Sequence, residues 1–297
     1  MIDTQLRGLG TALVTPFNSK GLIDYKALER LIERQIEAGV DYLVVLGTTS
    51  EAATIDDLDQ MALKQSIIKQ VDGRVPLVLG LGGNNTANVL LQLHYLSYAL
   101  DKNNQNHYKA ILSVCPYYNK PTQKGLYKHF CAIAESSPLP VILYNVPSRT
   151  GVNLLPETVM KIYNAYPDKI AGVKEASGDI KQINRLIKLA KGKFLVISGD
   201  DQLAAQLMLN GADGLISVAS NAFPKEFMQI VHNKDTELQQ QFSHFTELLF
   251  REGNPVGIKA ALAAQKLITN QLKLPLVKAS KQLQEEIQQE LSKLTTD

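Results

Sequence analysis

Short apolar runs recur along the first part of the chain, and helix-like stretches lie between them. The runs are rich in valine, isoleucine and leucine and do not alternate with polar positions, which is typical of parallel strands buried on both faces. There are eight such runs: GTALVTPF from Gly10, YLVVLG from Tyr42, PLVLGL from Pro76, AILSV from Ala110, PVILYN from Pro140, IAGVKEA from Ile170, FLVISGDD from Phe194 and GLISVAS from Gly214. The first six begin about 30 to 35 residues apart, the size of one βαβ unit.

Helix start signals precede the stretches between these runs. The candidate N-caps are Asp24, Asp56 or Asp57, Thr122 and Asp179. After Pro224 the strand pattern stops, and three amphipathic segments follow: Glu237–Arg251, Pro255–Leu272 and Val277–Leu294. The alternation predicts an α/β fold, a (β/α)8 TIM barrel over residues 1–230 with a C-terminal helical extension over 231–297. The alternative is an open doubly wound sheet.

Charge and composition exclude several classes of protein. The 31 basic and 29 acidic residues give a formal net charge of +2, which provides no electrostatic footprint for nucleic acid. The sequence has no run of apolar residues long enough for a membrane span and no signal-peptide pattern at its start. Two cysteines are too few for a disulfide framework. We therefore expect a cytoplasmic protein with no nucleic-acid or membrane partner.

In a barrel of this kind the active site lies at the carboxyl ends of the strands, where the following loops converge. The polar residues there are Thr48 and Thr49 after the second run, Asn84 and Asn85 after the third, Tyr117 and Tyr118 after the fourth, Tyr144 and Asn145 at the fifth, Lys174 and Glu175 at the sixth, Asp200 and Asp201 after the seventh, and Ser217 and Ser220 at the eighth. Hydroxyl groups, phenols and one amine dominate this set.

Lys174 is the most reactive candidate, because it ends an apolar run where a cation is costly to bury. A neutral lysine amine attacks carbonyl groups and forms a Schiff base. The structural alternative is a lysine that extends its amine to the barrel mouth or pairs with an acid. Tyr144 is either a proton-transferring phenol or an ordinary aromatic residue at a strand end. Arg149, in the turn PSRTG, is either a solvated loop residue or a fork for a substrate carboxylate.

The sequence does not indicate a metal site or a phosphate loop. The five histidines show no paired spacing typical of metal ligands. The segment GLGGNN lacks the full spacing of a phosphate-binding glycine motif, so turn geometry is the simpler reason for its glycines. We expect neither a catalytic metal nor a cofactor.

Several longer segments, taken together, resemble the pyruvate-dependent class I aldolases, and more closely the dihydrodipicolinate synthase family. They are GLGTALVTPF, GTTSEAAT, PYYNKPTQKGLYKHF, YNVPSRTG, AGVKEASGD, SGDD, GLISV and EGNP. They follow in order and cover nearly the whole chain. The resemblance implies a condensation of pyruvate with L-aspartate 4-semialdehyde in the diaminopimelate and lysine pathway.

The resemblance also implies a role for individual residues. Lys174 would form the Schiff base with pyruvate, and Tyr144, Thr49 and Tyr118 would form a hydroxyl relay for protons. Thr48 would contact the pyruvate carboxylate, Gly199 and Ile216 would line the pocket, and Arg149 would bind the carboxylate of the second substrate. In the family, the tyrosine that matches Tyr118 reaches across a subunit interface, so we expect at least a dimer and, as the family default, a homotetramer built as a dimer of dimers.

The sequence departs from the family pattern in the segment GTTSEAAT and at the positions matching the family's allosteric cleft. Ser50 stands where the family usually has glycine. Members inhibited by lysine commonly use a serine, a histidine and a glutamate, and the matching positions here are Ala52, Gln60 and Asn88. Asn84 and Tyr117 are retained. Because the glutamate that would pair with the ammonium group of the inhibitor is absent, we expect weak or absent inhibition by lysine.

Two other functions fit parts of the sequence. An N-acetylneuraminate lyase or another sugar-acid aldolase would share Lys174, Tyr144 and the GTT segment, but Arg149 favours a carboxylate over a sugar chain as the second substrate. A non-catalytic barrel that senses a small molecule is the alternative from another class. The presence of Lys174, Tyr144, Thr49 and Tyr118 argues against it.

Overall fold

Eight strands form a closed parallel barrel in the computed structural model, which describes residues 4–103 and 107–294. They are β1 (Gly8–Ala12), β2 (Tyr42–Val45), β3 (Leu77–Gly80), β4 (Tyr108–Val114), β5 (Val141–Asn145), β6 (Ile170–Glu175), β7 (Leu195–Ser198) and β8 (Gly214–Ser217). They follow one another around the barrel in chain order. This confirms the (β/α)8 fold and excludes the open sheet.

Helices separate the strands, as the sequence predicts. They are α1 (Tyr25–Glu37), α2 (Asp57–Val71), α3 (Thr86–Asn103), α4 (Gln123–Ser136), α5 (Pro147–Thr150), α6 (Pro156–Ala165), α7 (Ile180–Ala190), α8 (Ala204–Leu209) and α9 (Pro224–Asn233). The side chains of Asp24, Asp56, Thr122 and Asp179 each accept a hydrogen bond from a backbone N–H in the first turn of the following helix. These N-caps satisfy donors that have no partner within the helix.

The C-terminal segments contain four further helices: α10 (Thr236–Gln241), α11 (Ser243–Arg251), α12 (Val256–Ala264) and α13 (Lys281–Leu294). The predicted segment Pro255–Leu272 is helical only as far as Ala264. Lys266 adopts the left-handed conformation, with φ of 61°. Its N–H donates to Ala263 O, and Leu267 N–H donates to Leu262 O. This pattern closes a helix and usually has glycine at the left-handed position, so the sequence carried no signal for the end.

The chain divides into two compact units. One comprises Met1–Arg7 and Pro76–Ile216, and the other comprises Gly8–Val75 and Ser217–Asp297. The second unit has an aromatic cluster in which Phe223 packs edge-on against Phe242 and Phe245, with ring centroids 5.0 and 5.1 Å apart. The boundary predicted at residue 230 falls within α9 and stays a prediction. Among the described residues, no helix combines the length and the hydropathy that a membrane span requires.

Candidate active site

The side chain of Lys174 lies on the aromatic face of Tyr144. The two residues are register partners on β6 and β5, and Lys174 Nζ lies 4.4 Å from the centroid of the Tyr144 ring. Lys174 is only 6% exposed. Two of the predicted catalytic residues are therefore brought together at the carboxyl ends of neighbouring strands. A cation above an aromatic face is attracted by the ring quadrupole, which also suits a positively charged iminium at the same nitrogen.

Gly199, which follows β7, leaves room for the Lys174 side chain. A Cβ atom built on Gly199 would lie 2.8 Å from Lys174 Cε and 2.7 Å from Ala176 Cβ, closer than such atoms approach in proteins. The Gly199 N–H donates to the carbonyl of Glu175 at 2.8 Å. Gly199 therefore lies beside the side chain of the candidate nucleophile. Ile216 is buried within β8.

A buried polar network lies behind Lys174. Successive residues of a strand point to opposite faces, so Glu175 points away from the side of β6 that carries Lys174. Its carboxylate accepts hydrogen bonds from Asn145 Nδ2 at 3.0 and 3.1 Å, from Gln182 Nε2 at 3.1 Å and from Ser177 N–H at 2.8 Å. Burial raises the pKa of Glu175, and these hydrogen bonds partly offset the rise.

Asn145 and Glu175 are predicted at strand ends, but nothing in the sequence indicates that they contact each other. Asn145 follows Tyr144, and Glu175 follows Lys174, so the two polar residues are register partners like the two residues before them. Their hydrogen bonds fix the register of β5 and β6. The network therefore holds Tyr144 and Lys174 opposite one another.

Arg149 lies on α5, a short helix that directly follows β5. The helix ends at Gly151, whose φ of 72° is left-handed. Arg149 is exposed. A Cβ atom built on Gly151 would lie 3.1 Å from Lys120 Cε, so the stem of a second basic side chain packs against the same turn. This turn presents positive charge at the surface, which suits an anionic ligand.

Tyr118 stands out from the surface of the chain, with 88% of the residue exposed. Its φ of 73° is uncommon for a residue other than glycine. The backbone on either side is held by Asn84, whose Nδ2 donates to Tyr117 O at 3.2 Å, and by Asn119, whose Nδ2 donates to Asn84 O at 3.0 Å. Tyr118 is thus presented outward by an ordered turn.

Thr48, Thr49 and Ser50 form a single 3₁₀ turn after β2. Thr49 is buried, and its Oγ1 accepts a hydrogen bond from Asn254 Nδ2 at 3.0 Å. The hydroxyl of Ser50 donates to Gly47 O at 2.7 Å. The Ser50 side chain, which stands in place of the usual glycine, therefore closes the turn with a hydrogen bond to the turn's own backbone.

Glu51, the next residue along the chain, forms a fully buried ion pair with Lys259 of α12. The Glu51 carboxylate also accepts from Lys273 N–H at 2.9 Å. The Lys259 amine donates to Gln271 O at 3.0 Å and lies 4.0 Å from the centroid of the Phe17 ring. Burial lowers the pKa of Lys259 to about 8 in spite of the attraction of Glu51. This pair is not among the sequence predictions, although a single lysine within the apolar segment VGIKAALAA indicates a buried cation that needs a partner.

No metal centre is evident in the part of the chain that the structure describes. No group of three or more histidine, cysteine, aspartate or glutamate residues there is arranged to hold an ion. The reactive groups around Lys174 are an amine and a phenol. Such a set can perform nucleophilic and acid–base chemistry on a carbonyl compound.

Known proteins resemble this chain along nearly its whole length. Residues 5–294 match the Dihydrodipicolinate synthetase family. A 4-hydroxy-tetrahydrodipicolinate synthase from Azobacteroides pseudotrichonymphae genomovar. CFP2 is 46% identical over 280 residues, which cover 92% of each chain. The crystal structure of dihydrodipicolinate synthase from Thermotoga maritima is 39% identical with a TM-score of 0.91, and the match covers 97% of this chain and 98% of that one. The chloride-inhibited dihydrodipicolinate synthase from Acinetobacter baumannii, complexed with pyruvate, is 38% identical with a TM-score of 0.90 and the same coverage.

Proposed function

The chain belongs to the dihydrodipicolinate synthetase family and is a lyase-type enzyme with the 4-hydroxy-tetrahydrodipicolinate synthase activity of its curated relatives, and we propose that Lys174 carries this activity as the Schiff-base nucleophile. The substrates are pyruvate and L-aspartate 4-semialdehyde. The observation that supports this assignment best is the buried Lys174 amine on the face of Tyr144. The reaction serves diaminopimelate and lysine biosynthesis.

The first half of the reaction takes place at Lys174. Its neutral amine attacks the keto carbon of pyruvate, a carbon–nitrogen bond forms, and the keto oxygen leaves as water to give an imine. The protonated imine withdraws electrons from the adjacent methyl group, which loses a proton and becomes an enamine.

The second half joins the two substrates and frees the enzyme. The enamine carbon attacks the aldehyde carbon of the semialdehyde, and a carbon–carbon bond forms. The amino group of the second substrate then attacks the imine carbon, the ring closes, and the bond to Lys174 breaks. Lys174 returns to a free amine for the next turnover.

Proton transfers in these steps need hydroxyl groups near the reacting atoms. We assign this work to Tyr144, Thr49 and Tyr118. Tyr144 is the best supported because its ring already contacts the Lys174 amine. Thr48 would bind the pyruvate carboxylate from the turn after β2, and Gly199 and Ile216 would line the pyruvate pocket.

Arg149 would bind the carboxylate of L-aspartate 4-semialdehyde. Its guanidinium group can form two parallel hydrogen bonds to a carboxylate, which fixes the orientation of the substrate. The neighbouring Lys120 stem supports the same turn. Replacement of Arg149 by lysine keeps the charge but removes the fork, so we expect a higher KM for the semialdehyde and an unchanged KM for pyruvate.

The assembly is proposed to be a homotetramer, a dimer of dimers. The support is Tyr118, an aromatic residue that is strongly exposed on an ordered turn and that the proposed relay requires inside an active site. A second copy of the chain would receive it. Size-exclusion chromatography with light scattering measures the assembly. The cysteines Cys115 and Cys131 are free, which suits the reducing cytoplasm proposed as the compartment.

Trapping of the imine tests the central assignment. The protein is incubated with pyruvate, reduced with borohydride, digested and analysed by peptide mass spectrometry. The expected adduct lies on Lys174, is lost in Lys174→Ala and persists in Lys120→Ala as the matched lysine control. Absence of an adduct in folded wild-type protein would overturn the mechanism. Parallel assays with L-aspartate 4-semialdehyde, N-acetylneuraminate and 2-keto-3-deoxy sugar acids then identify the second substrate.

A further inference from the structure

The segment EGNP contains a residue that contacts the proposed proton relay. Asn254 is 7% exposed and lies between α11 and α12. Its Nδ2 donates to Oγ1 of Thr49, which is 2% exposed, at 3.0 Å. The two residues are 205 positions apart in the sequence, and no role for Asn254 follows from the sequence alone.

The direction of this hydrogen bond constrains the hydroxyl of Thr49. A threonine hydroxyl has one proton and two acceptor lone pairs. Because Asn254 donates to the oxygen, one lone pair is used, and the Thr49 proton points away from Asn254. Thr49 is therefore oriented to donate its proton to another group. A proton relay depends on such an order of donors and acceptors.

The backbone around Thr49 has other supports. Ser50 Oγ donates to Gly47 O, and the carboxylate of Glu51 accepts from Lys273 N–H and pairs with the amine of Lys259. These contacts fix the turn on the C-terminal side of Thr49 without the Asn254 side chain. The hydrogen bond from Asn254 therefore adds the orientation of the Thr49 hydroxyl to a turn that other contacts already hold.

We propose that Asn254 is a positioning residue that sets Thr49 as a proton donor in the relay. This inference rests on the proposed function, in which Thr49 transfers protons between Lys174-bound pyruvate and the other hydroxyl groups. In this proposal Asn254 acts through its hydrogen bond to Thr49 and is not itself a catalytic residue.

The first variants are Asn254→Ala and Thr49→Val. In Asn254→Ala the Thr49 hydroxyl is present but free to rotate, so kcat is expected to fall about tenfold. In Thr49→Val the hydroxyl itself is lost, so kcat is expected to fall about a hundredfold, which is within the usual range for acid–base groups. The KM for pyruvate is expected to stay close to the wild-type value in Asn254→Ala. Asn270→Ala is the matched control, because that amide bonds to Gln284 and has no proposed part in the reaction.

A double variant separates positioning from general support of the fold. If Asn254 acts through Thr49, Thr49→Val/Asn254→Ala has the same kcat as Thr49→Val. Multiplied losses in the double variant would overturn the proposal, as would wild-type kcat in Asn254→Ala. Non-additivity of this kind is the signature of two residues in one contact.

Asn254→Asp provides the pH readout. The introduced carboxylate can only accept, so the Thr49 hydroxyl would turn and donate to it, and kcat is expected to fall as far as in Thr49→Val. When the pH is lowered, the carboxyl group gains a proton and can donate again, so the ratio of variant to wild-type kcat is expected to rise. A ratio independent of pH would contradict the proposal.

Borohydride trapping with pyruvate distinguishes the two possible failures. An adduct on Lys174 in wild type and in each variant shows that the protein is folded and forms the imine, and the kcat values then test Asn254 alone. Absence of the adduct in wild type would overturn the proposed function, and the inference about Asn254 with it.

Discussion

Lys174 and Tyr144 are register partners on neighbouring parallel strands, and the Lys174 amine lies 4.4 Å from the centroid of the Tyr144 ring. The amine contacts the face of the ring, whereas the phenolic hydroxyl lies at its edge. The ring and the hydroxyl can therefore serve different steps. The ring stabilises positive charge on the nitrogen by about 0.5–2 kcal/mol, and the hydroxyl transfers protons.

Replacement of Tyr144 is expected to separate these two roles. Tyr144→Phe keeps the ring face, so the borohydride-trapped pyruvate adduct still forms, but kcat falls about a hundredfold or more because the proton-transferring hydroxyl is lost. Tyr144→Leu removes both groups and is expected to lower the yield of the adduct as well. Trapping and steady-state assays of the two variants measure the difference. Near wild-type turnover by Tyr144→Phe would remove the phenol from the relay.

Gly199→Ala is expected to disable Lys174 by displacing its side chain. The added methyl group would lie 2.8 Å from Lys174 Cε and 2.7 Å from Ala176 Cβ, so the lysine stem must move. We expect a slower formation of the adduct and a loss of about 1–3 kcal/mol in the free energy of unfolding. The matched control is Gly83→Ala, whose methyl group would lie 3.4 Å from Val89 Cγ2. Equal trapping rates in the two variants would contradict the steric argument.

The buried pair of Glu51 and Lys259 is expected to matter for stability. Lys259→Met leaves the Glu51 carboxylate buried without its cation, which costs about 3–5 kcal/mol in the free energy of unfolding. The control is Lys281→Met, because Lys281 is 92% exposed and pairs with Glu285 at 3.8 Å. Exposed pairs contribute about 0–1 kcal/mol. Urea unfolding at neutral pH measures both variants, and similar losses would mean that burial of the pair is unimportant.

Much of the fold could be predicted because its signals are local. Eight apolar runs identified the strands, and capping side chains such as Asp24 and Thr122 marked helix starts, since both depend on neighbouring residues only. The end of α12 could not be predicted, because Lys266 occupies a left-handed position that a glycine would have signalled.

The candidate site also contains residues that could be predicted from local signals and contacts that could not. Lys174 and Tyr144 could be found because each lies at a strand end, and parallel strands of a barrel place those ends together. The contacts of Thr49 with Asn254 and of Glu51 with Lys259 could not be found, because they join segments more than 200 residues apart. Nothing in the sequence around either segment specifies its partner. The roles of Thr49 and Tyr118 come from the family resemblance and stay predictions.

A buried histidine is expected to make stability depend on acidic pH. His129 lies with Nδ1 2.9 Å from Thr86 Oγ1, and burial lowers its pKa from 6.5 to about 4. Between these two values the unfolded chain binds a proton that the folded chain does not. The free energy of unfolding therefore falls as the pH drops through this range, by up to about 3 kcal/mol from this group.

Unfolding measurements across that range check the histidine. His129→Gln has no group that titrates there, so its stability is expected to fall less between neutral and acidic pH than that of wild type. His94→Gln replaces an exposed histidine and is expected to keep the wild-type dependence. The same slope in all three proteins would show that other groups govern acid unfolding.

Feedback by lysine is expected to be weak, because the positions that the family resemblance implies for lysine binding carry neutral side chains here. The side-chain amide of Gln60 donates to Ala52 O at 3.0 Å and to Ile55 O at 2.9 Å, so it is engaged in holding its own turn. Asn88 is exposed on α3 and has no charge to pair with an ammonium group. Steady-state assays with millimolar lysine are expected to show little inhibition, and Asn88→Glu, which restores an anion, is expected to increase it. Strong inhibition of the wild-type enzyme would mean that lysine binds through other groups.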